Sequence, residues 1–222
     1  MADSMFFSRD SKVFVAPLNT AGAEVAGAIW EIPVLDGFSF SQATNTSEVT
    51  LNEMSAGSNV SRRGRKMFTD SYAPAEWSFS TYARPFKSAD GYAAFAAADD
   101  DKHSAVEEVL WAMMAGQAQY TVPADGTEAA WGDAISKGDD DMDIVFTASN
   151  KTTLGKANIY FQLGGQTAES TITYKIANCC INEANIDFDI DGIATINWSG
   201  MGTMITEQDN PPTVTRKEAI GS

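Results

Sequence analysis

The spacing Asp187-x-Asp189-x-Asp191-Gly192 reproduces the opening of an EF-hand calcium loop, where alternating carboxylates converge on one hard cation before a glycine turns the chain. The match stops there. The twelfth position, which should supply a bidentate Glu, is Trp198, and Ile186, Phe188 and Ile190 interleave the acids at strand spacing. No flanking helices are offered, so the row reads as a solvated or subunit-facing acidic edge and no metal is expected. The only histidine, His103, would have to serve any Ser-His-Asp or Cys-His arrangement, and its place before a helix suits polar surface better. Neither a GxSxG elbow nor a GxxxxGK[ST] phosphate loop is present; Gly155-Lys156-Ala157 lacks the earlier glycine and the hydroxyl residue. No catalytic or cofactor-binding residue is assigned. Trp77, Trp111, Trp131 and Trp198 could form a sugar platform in a soluble β-sandwich binding module, but no convergent carboxylate pair is legible for a glycosidase.

Two further groups could carry interactions. Arg62, Arg63, Arg65 and Lys66 are four of the fifteen basic residues and the one concentration of positive charge, without the interleaved aromatics of a nucleic-acid groove. On a chain this acidic, their natural partner is another copy. Cys179 and Cys180 are adjacent in a strand pattern, so their side chains should point to opposite faces; buried thiols are the simple reading, a crosslink to a neighbour the alternative.

Thirty acidic against fifteen basic residues give a formal charge of -15 and a pI near 4.3, which disfavours binding to free nucleic acid. A hydrophobic fraction of 44% in 222 residues suits one large β domain or at most two small ones, with a core that needs no disulfides. Met1 to Met5 lack a basic region and an apolar run of the secretory type, and no stretch approaches the roughly 18 apolar residues of a membrane span, so synthesis in the cytosol is expected.

The elements that must position these residues are mainly strands. Val13-Phe14-Val15, Ile29 to Pro33, Phe38 to Ser41 and Ser47 to Leu51 form a first group. Ala75 to Tyr82 alternates bulky and small residues up to Pro85. Ile144 to Thr147, Ala157 to Leu163 and Ser170 to Cys180 follow, and Ile186 to Trp198 reads as a hairpin closed by Asp191-Gly192, with Ala194, Ile196 and Trp198 on one face. One helix is predicted, with Ser104 and Glu107 as a capping box, Val106, Val109, Leu110, Met113 and Met114 as its stripe, and Gly116 past its end. Asn52 to Thr69 is polar and Gly/Ser-rich and is expected to be a projecting loop. The organisation expected is a single β domain over residues 1–208, with an insertion at 99–142, and a tail at 209–222.

Phe38-Ser39-Phe40 followed by Thr46 to Leu51, Trp77 to Pro85, the helix, and Thr173 to Ala184 with Asp189 to Ala194 together resemble the tail tube proteins of long-tailed bacteriophages, especially contractile-tailed ones, over residues 10 to 208. The resemblance implies a mainly β fold with one helix, a β-sandwich or small barrel whose inner strands join a ring-wide β-barrel. It implies a structural virion protein, not an enzyme, that assembles in the host cytoplasm into stacked hexameric rings around a bore for DNA. No cofactor is implied. The implied partners are copies of itself, the tail sheath, the tape-measure protein and baseplate or terminator proteins, with DNA passing unbound and no membrane insertion. Arg62, Arg63, Arg65 and Lys66 would then reach an adjacent ring, and Glu48 and Glu53 would face the lumen. An Hcp-like secretion tube, or a capsid decoration or spike-base protein, is the alternative within structural proteins.

Overall fold

Bulky residues at every second position make Ala75–Tyr82 a strand with one face for a core, and its burial alternates accordingly from Ala75 inward to Tyr82 outward. The structure, a computed structural model, describes residues 7–19, 21–25, 29–35, 37–51, 64–83, 87–88, 103–104, 107–116, 135–137, 142–145, 155–164, 171–188, 192–208, 212 and 216–217. The strands are β1 (Phe7–Pro17), β2 (Trp30–Ile32), β3 (Ser39–Ser41), β4 (Thr44–Leu51), β5 (Gly64–Tyr72), β6 (Ala75–Tyr82), β7 (Lys87–Ser88) and β8 (His103–Ser104). After helix α1 (Glu108–Ala115) come β9 (Ile135–Lys137), β10 (Met142–Ile144), β11 (Ala157–Gly164), β12 (Ile172–Asp187), β13 (Thr195–Gly202), β14 (Met204–Gln208) and β15 (Arg216–Lys217). The described chain is mostly strand with this single helix.

A nine-stranded sheet follows the path β15-β2-β1-β11-β12-β13-β6-β3, with β14 paired to β12 off this path. Strand β12 belongs to both halves of this path. Its first half lies between β11 and β14, and its second half, Cys180 to Asp187, pairs with β13. The halves fold over one another around Phe161 of β11, whose ring lies 4.9 Å from Phe38, 5.1 Å from Phe40 and 6.4 Å from Phe79, centroid to centroid. Val13, Val15, Trp30, Ile32, Trp77, Ile159, Ile176 and Trp198 complete this core. Each such side chain contributes on the order of 1.5–3 kcal/mol by leaving water. Phe14, Ala16 and Tyr160 form a smaller cluster on the opposite face of β1 and β11.

The bend between the halves sits at Asn178. Its φ of 52° is the left-handed region, which a short amide side chain tolerates better than most. The β11–β12 register shifts there, and Asn158 Oδ1 accepts the displaced Asn178 N–H at 3.0 Å. On the other side, the Thr203 N–H and hydroxyl both donate to Ala177 O, at 2.8 and 3.0 Å. Crowding at the bend explains two glycines. A Cβ on Gly200 would stand 2.1 Å from Cys180 O, and one on Gly202 would stand 2.4 Å from Ile176 Cγ2.

Three expectations need correction. The hairpin of β12 and β13 is present, but a two-residue turn at Asp191-Gly192 would pair Asp187 with Ile196, whereas Asp187 pairs with Thr195 and Ile186 with Ile196. That register sets Ile186 and Ala184 opposite Ile196 and Trp198, so the apolar residues share one face. Residues 64–69, expected in a projecting loop, belong to β5, which pairs with β4 along its whole length. The capping box does not form: Ser104 lies in β8, α1 starts at Glu108, and Glu107 precedes it without a side-chain cap. Gly116 does end the helix, at φ 94°. Within the expected tail, Arg216 and Lys217 pair in parallel with Trp30 and Glu31. The remainder of the tail beyond Asp209, apart from Pro212, and most of 99–142 lie outside the described residues.

Candidate assembly surfaces

The sheet β3-β6-β13 with the second half of β12 is amphipathic. Its inward rows are Phe40–Trp77–Gly200–Ile181, Phe79–Trp198–Ala184 and Thr81–Ile196–Ile186, read across the strands. Its outward rows are Ser41–Glu76–Met201–Cys180, Ser39–Ser78–Ser199–Glu183, Ser80–Asn197–Asn185 and Tyr82–Thr195–Asp187. Hydroxyls and amides dominate the outward face, three carboxylates punctuate it, and it contains no Lys or Arg. Ser39 Oγ and Ser78 Oγ are 2.8 Å apart, and Ser80 Oγ donates to Asn197 Oδ1 at 2.5 Å. Short side chains leave two shallow hollows of about 340 and 250 Å³ that share Ser78 and Ser199. Such a face offers phosphate groups no cation to grip and carries negative charge that repels them.

Both margins of this sheet are open among the described residues. Cys180 to Asp187 pairs on one side only, with β13, and β3 pairs only with β6. Unpaired strand edges are templates for another chain unless covered.

The β4–β5 hairpin is a separate two-stranded arm. Its side chains at 44–48 and 67–72 are all exposed, Met67 to 68% and Tyr72 to 65%. Ser47 Oγ donates to Asp70 near the bulge where the register shifts. Gln42 fixes the root of the arm: Nε2 donates to Ala73 O at 3.0 Å and Thr203 O at 3.1 Å, while Oε1 accepts the Ile205 N–H at 3.1 Å. Glu48 lies on this arm opposite Met67, away from the serine face. Arg65 and Lys66 lie in β5 opposite Thr50 and Val49; Arg62, Arg63 and Glu53 fall outside the described residues.

The remaining candidates are structural. Cys179 is buried, its Sγ donates to Ile176 O at 3.3 Å, and burial pushes its thiol up to about 12. Cys180 is half-buried, and burial also raises it. Both thiols are free. Trp77 and Trp198 are buried in the core, and Trp111 packs edge-on against Trp198 at 4.8 Å, so these three present no sugar platform; Trp131 is outside the described residues. His103 lies in β8 opposite Ser88 and not in the helix. Asp187 is exposed at the end of β12, while Asp189 and Asp191 are outside the described residues.

A polar cluster that sequence reasoning missed joins Glu24 to β11 and β12. Glu24 Oε1 accepts from Asn158 Nδ2, Tyr160 OH and Lys175 Nζ, the last at 3.0 Å. Burial pushes the Glu24 carboxyl upward, but the three hydrogen bonds and the Lys175 charge outweigh it and hold the group below its ordinary value. Burial and then the Glu24 carboxylate raise the Tyr160 phenol. Glu24 is more than 130 residues from Asn158 and Tyr160, so no local spacing signals the cluster.

No protein-family model matches the chain. It is 30% identical over 210 residues to the tail tube protein pb6 of Escherichia phage T5, a match that covers 94% of this chain and 39% of that protein. The chain thus spans about two fifths of the length of this relative. Among solved structures it is similar to the tube-terminating cap of the anti-feeding prophage, with TM-score 0.46, 11% identity, and 94% and 93% of the two chains covered. It is also similar to a chain of the anti-feeding prophage baseplate, with TM-score 0.48, 8% identity, and 94% and 97% covered. Nearly the whole chain is therefore related in sequence to a phage tail tube protein, as its strands and turns suggested.

Proposed function

We propose that this chain is a structural, non-enzymatic tail subunit that assembles with copies of itself into stacked rings, six copies to a ring, around a bore through which DNA is delivered. The single observation that carries this reading is the outward face of β3, β6, β13 and β12, a polar sheet without Lys or Arg whose two margins are open among the described residues. Copies placed side by side would continue that sheet through its margins into a closed barrel, removing the edges and turning the serine face toward the bore. Glu76, Glu183 and Asp187 would give the bore negative charge, so DNA would pass without sticking. Glu48, the lumen candidate from the sequence, lies on the arm and outside this set. Sequence identity to a tail tube protein over most of the chain supports the same reading. A sheath, a tape-measure protein and baseplate or terminator proteins are the expected partners, the virion tail is the expected location, and the host cytoplasm is the expected place of assembly.

The test is electron microscopy of the concentrated recombinant chain with averages down the particle axis. Stacked rings with a central hole are expected, and the averages read the symmetry directly. Uniform monomers across the concentration range would overturn the reading.

A further inference from the structure

Strand β12 passes from one half of the sheet into the other at a bulge. Between the pairs Ala157–Cys179 and Ile159–Ile176, one residue of β11, Asn158, faces two of β12, Ala177 and Asn178. A bulge of this kind bends its strand and leaves the extra residue outside the ladder. Asn178 is that residue, at φ 52°, and its N–H donates to Asn158 Oδ1 at 3.0 Å.

Asn158 is only 7% exposed, so its protein partners decide which way its amide points. Both partners have fixed polarity. A backbone N–H can only donate, which requires Oδ1 toward Asn178; an ionised carboxylate can only accept, which requires Nδ2 toward Glu24. Glu24 is itself held in place. Asn19 Oδ1 accepts the Ala21 and Ala23 N–H groups at 2.9 and 3.0 Å, and the Leu18 and Val25 N–H groups tie the same turn to Lys156 O and Pro17 O at 2.8 and 3.0 Å. Tyr160 and Lys175 fasten the Glu24 carboxylate to β11 and β12. A turn that follows β1 is thus linked through one buried amide to the backbone of the bend.

We infer that Asn158 is a positioning residue: Glu24 fixes the orientation of its amide, and that amide fixes the angle at which Cys180 to Asp187 leaves the first half of β12. The stretch from Cys180 to Asp187 is one open margin of the serine face among the described residues, so its direction decides whether copies close into rings of one size. This last step rests on the tube reading, whereas the link from Glu24 to the bend stands without it.

A polarity exchange tests the inference. Asn158→Asp keeps an acceptor for the Asn178 N–H but sets two carboxylates face to face. Adding Glu24→Gln puts a donor opposite Asp at 158, so the second substitution repairs the first, which two independent structural losses would not do. Amide hydrogen exchange at Asn178, read by mass spectrometry with peptide fragmentation, should be about tenfold faster in Asn158→Asp than in wild type and close to wild type in the double variant. The Ile159 and Phe161 amides serve as an unchanged internal reference. Class averages down the particle axis should show one ring size for wild type and the double variant, and mixed sizes or open arcs for Asn158→Asp. Unchanged exchange in Asn158→Asp, or a double variant no better than the single one, would overturn the positioning role. Where Asn158→Asp alone does not fold, recovery of folded chain in the double variant is the expected result and continued failure overturns the role. Faster exchange with uniform rings would overturn the step from bend to ring size and leave the tube reading intact. Absence of rings from wild type would overturn the tube reading, while the exchange result would still decide the link to the bend.

Discussion

Trp198 Nε1 donates a hydrogen bond to Thr81 Oγ1 at 3.1 Å, a polar link between β13 and β6 within the core. Both residues are almost wholly buried. Replacing Thr81 with Val keeps the shape but leaves the indole N–H unpaired, at a cost of about 1–3 kcal/mol. A urea titration should show a lower midpoint with an unchanged slope; an unchanged midpoint would mean that the bond contributes nothing net.

Gly200 lies against the Cys180 carbonyl and the Trp77 ring, with 2.1 Å and 2.5 Å available to a Cβ. Backbone on one side and a buried indole on the other leave little room to yield. Gly200→Ala should therefore cost about 1–3 kcal/mol or prevent folding. Soluble yield and melting temperature measure this, with Gly22→Ala, which meets nothing within 4 Å but has a φ of 79°, as a milder backbone-only control.

Glu24 is held below its ordinary carboxyl value of 4.5, so its ionised form stabilises the folded chain above that pH. As the pH falls through the depressed folded value, the contribution is lost. Wild type should exceed Glu24→Gln in stability at pH 7, and the gap should shrink below pH 4.5. A gap that widens on acidification would reverse the assigned sign.

Lysines on the serine face should make the bore adhesive. Assembled Ser78→Lys/Asn197→Lys chains should retain short DNA at low salt and release it as salt rises, while wild-type assemblies retain none. Gel-filtration co-elution reads the result, and equal behaviour of the two would move the bore to another face.

Cys179 is buried with its thiol near 12, and burial also raises Cys180, so neither offers much thiolate at pH 8. Slow labelling by iodoacetamide is expected in the native chain and rapid labelling in denaturant. Intact particles should migrate identically on reducing and non-reducing gels; a ladder that collapses with reductant would reveal a crosslink to a neighbour.

How much of this was legible depended on whether one face of an element is buried. Strand β6 begins and ends where its alternation does, because Trp77 and Phe79 pack while Glu76 and Ser78 do not. Strand β5 carries no such alternation, since its described side chains are all exposed, and its polar sequence reads as loop. The bend at Asn178 was illegible because Asn158, twenty residues earlier, satisfies its N–H. Alternation marks β3 and β6 as strands with one polar face, but only the register across β13 and β12 adds Asn197, Glu183 and Asp187 to that face.

The placement of arm and hairpin end at opposite ends of β6 gives any stack built through them a direction. Every interior copy would have both surfaces covered, whereas the first copies would present bare hairpins and the last would present bare arms. The two termini would then need different caps, one matching the exposed hairpin end and the other the exposed arm. A single capping protein could not finish both ends, and growth from one initiator would proceed one way only.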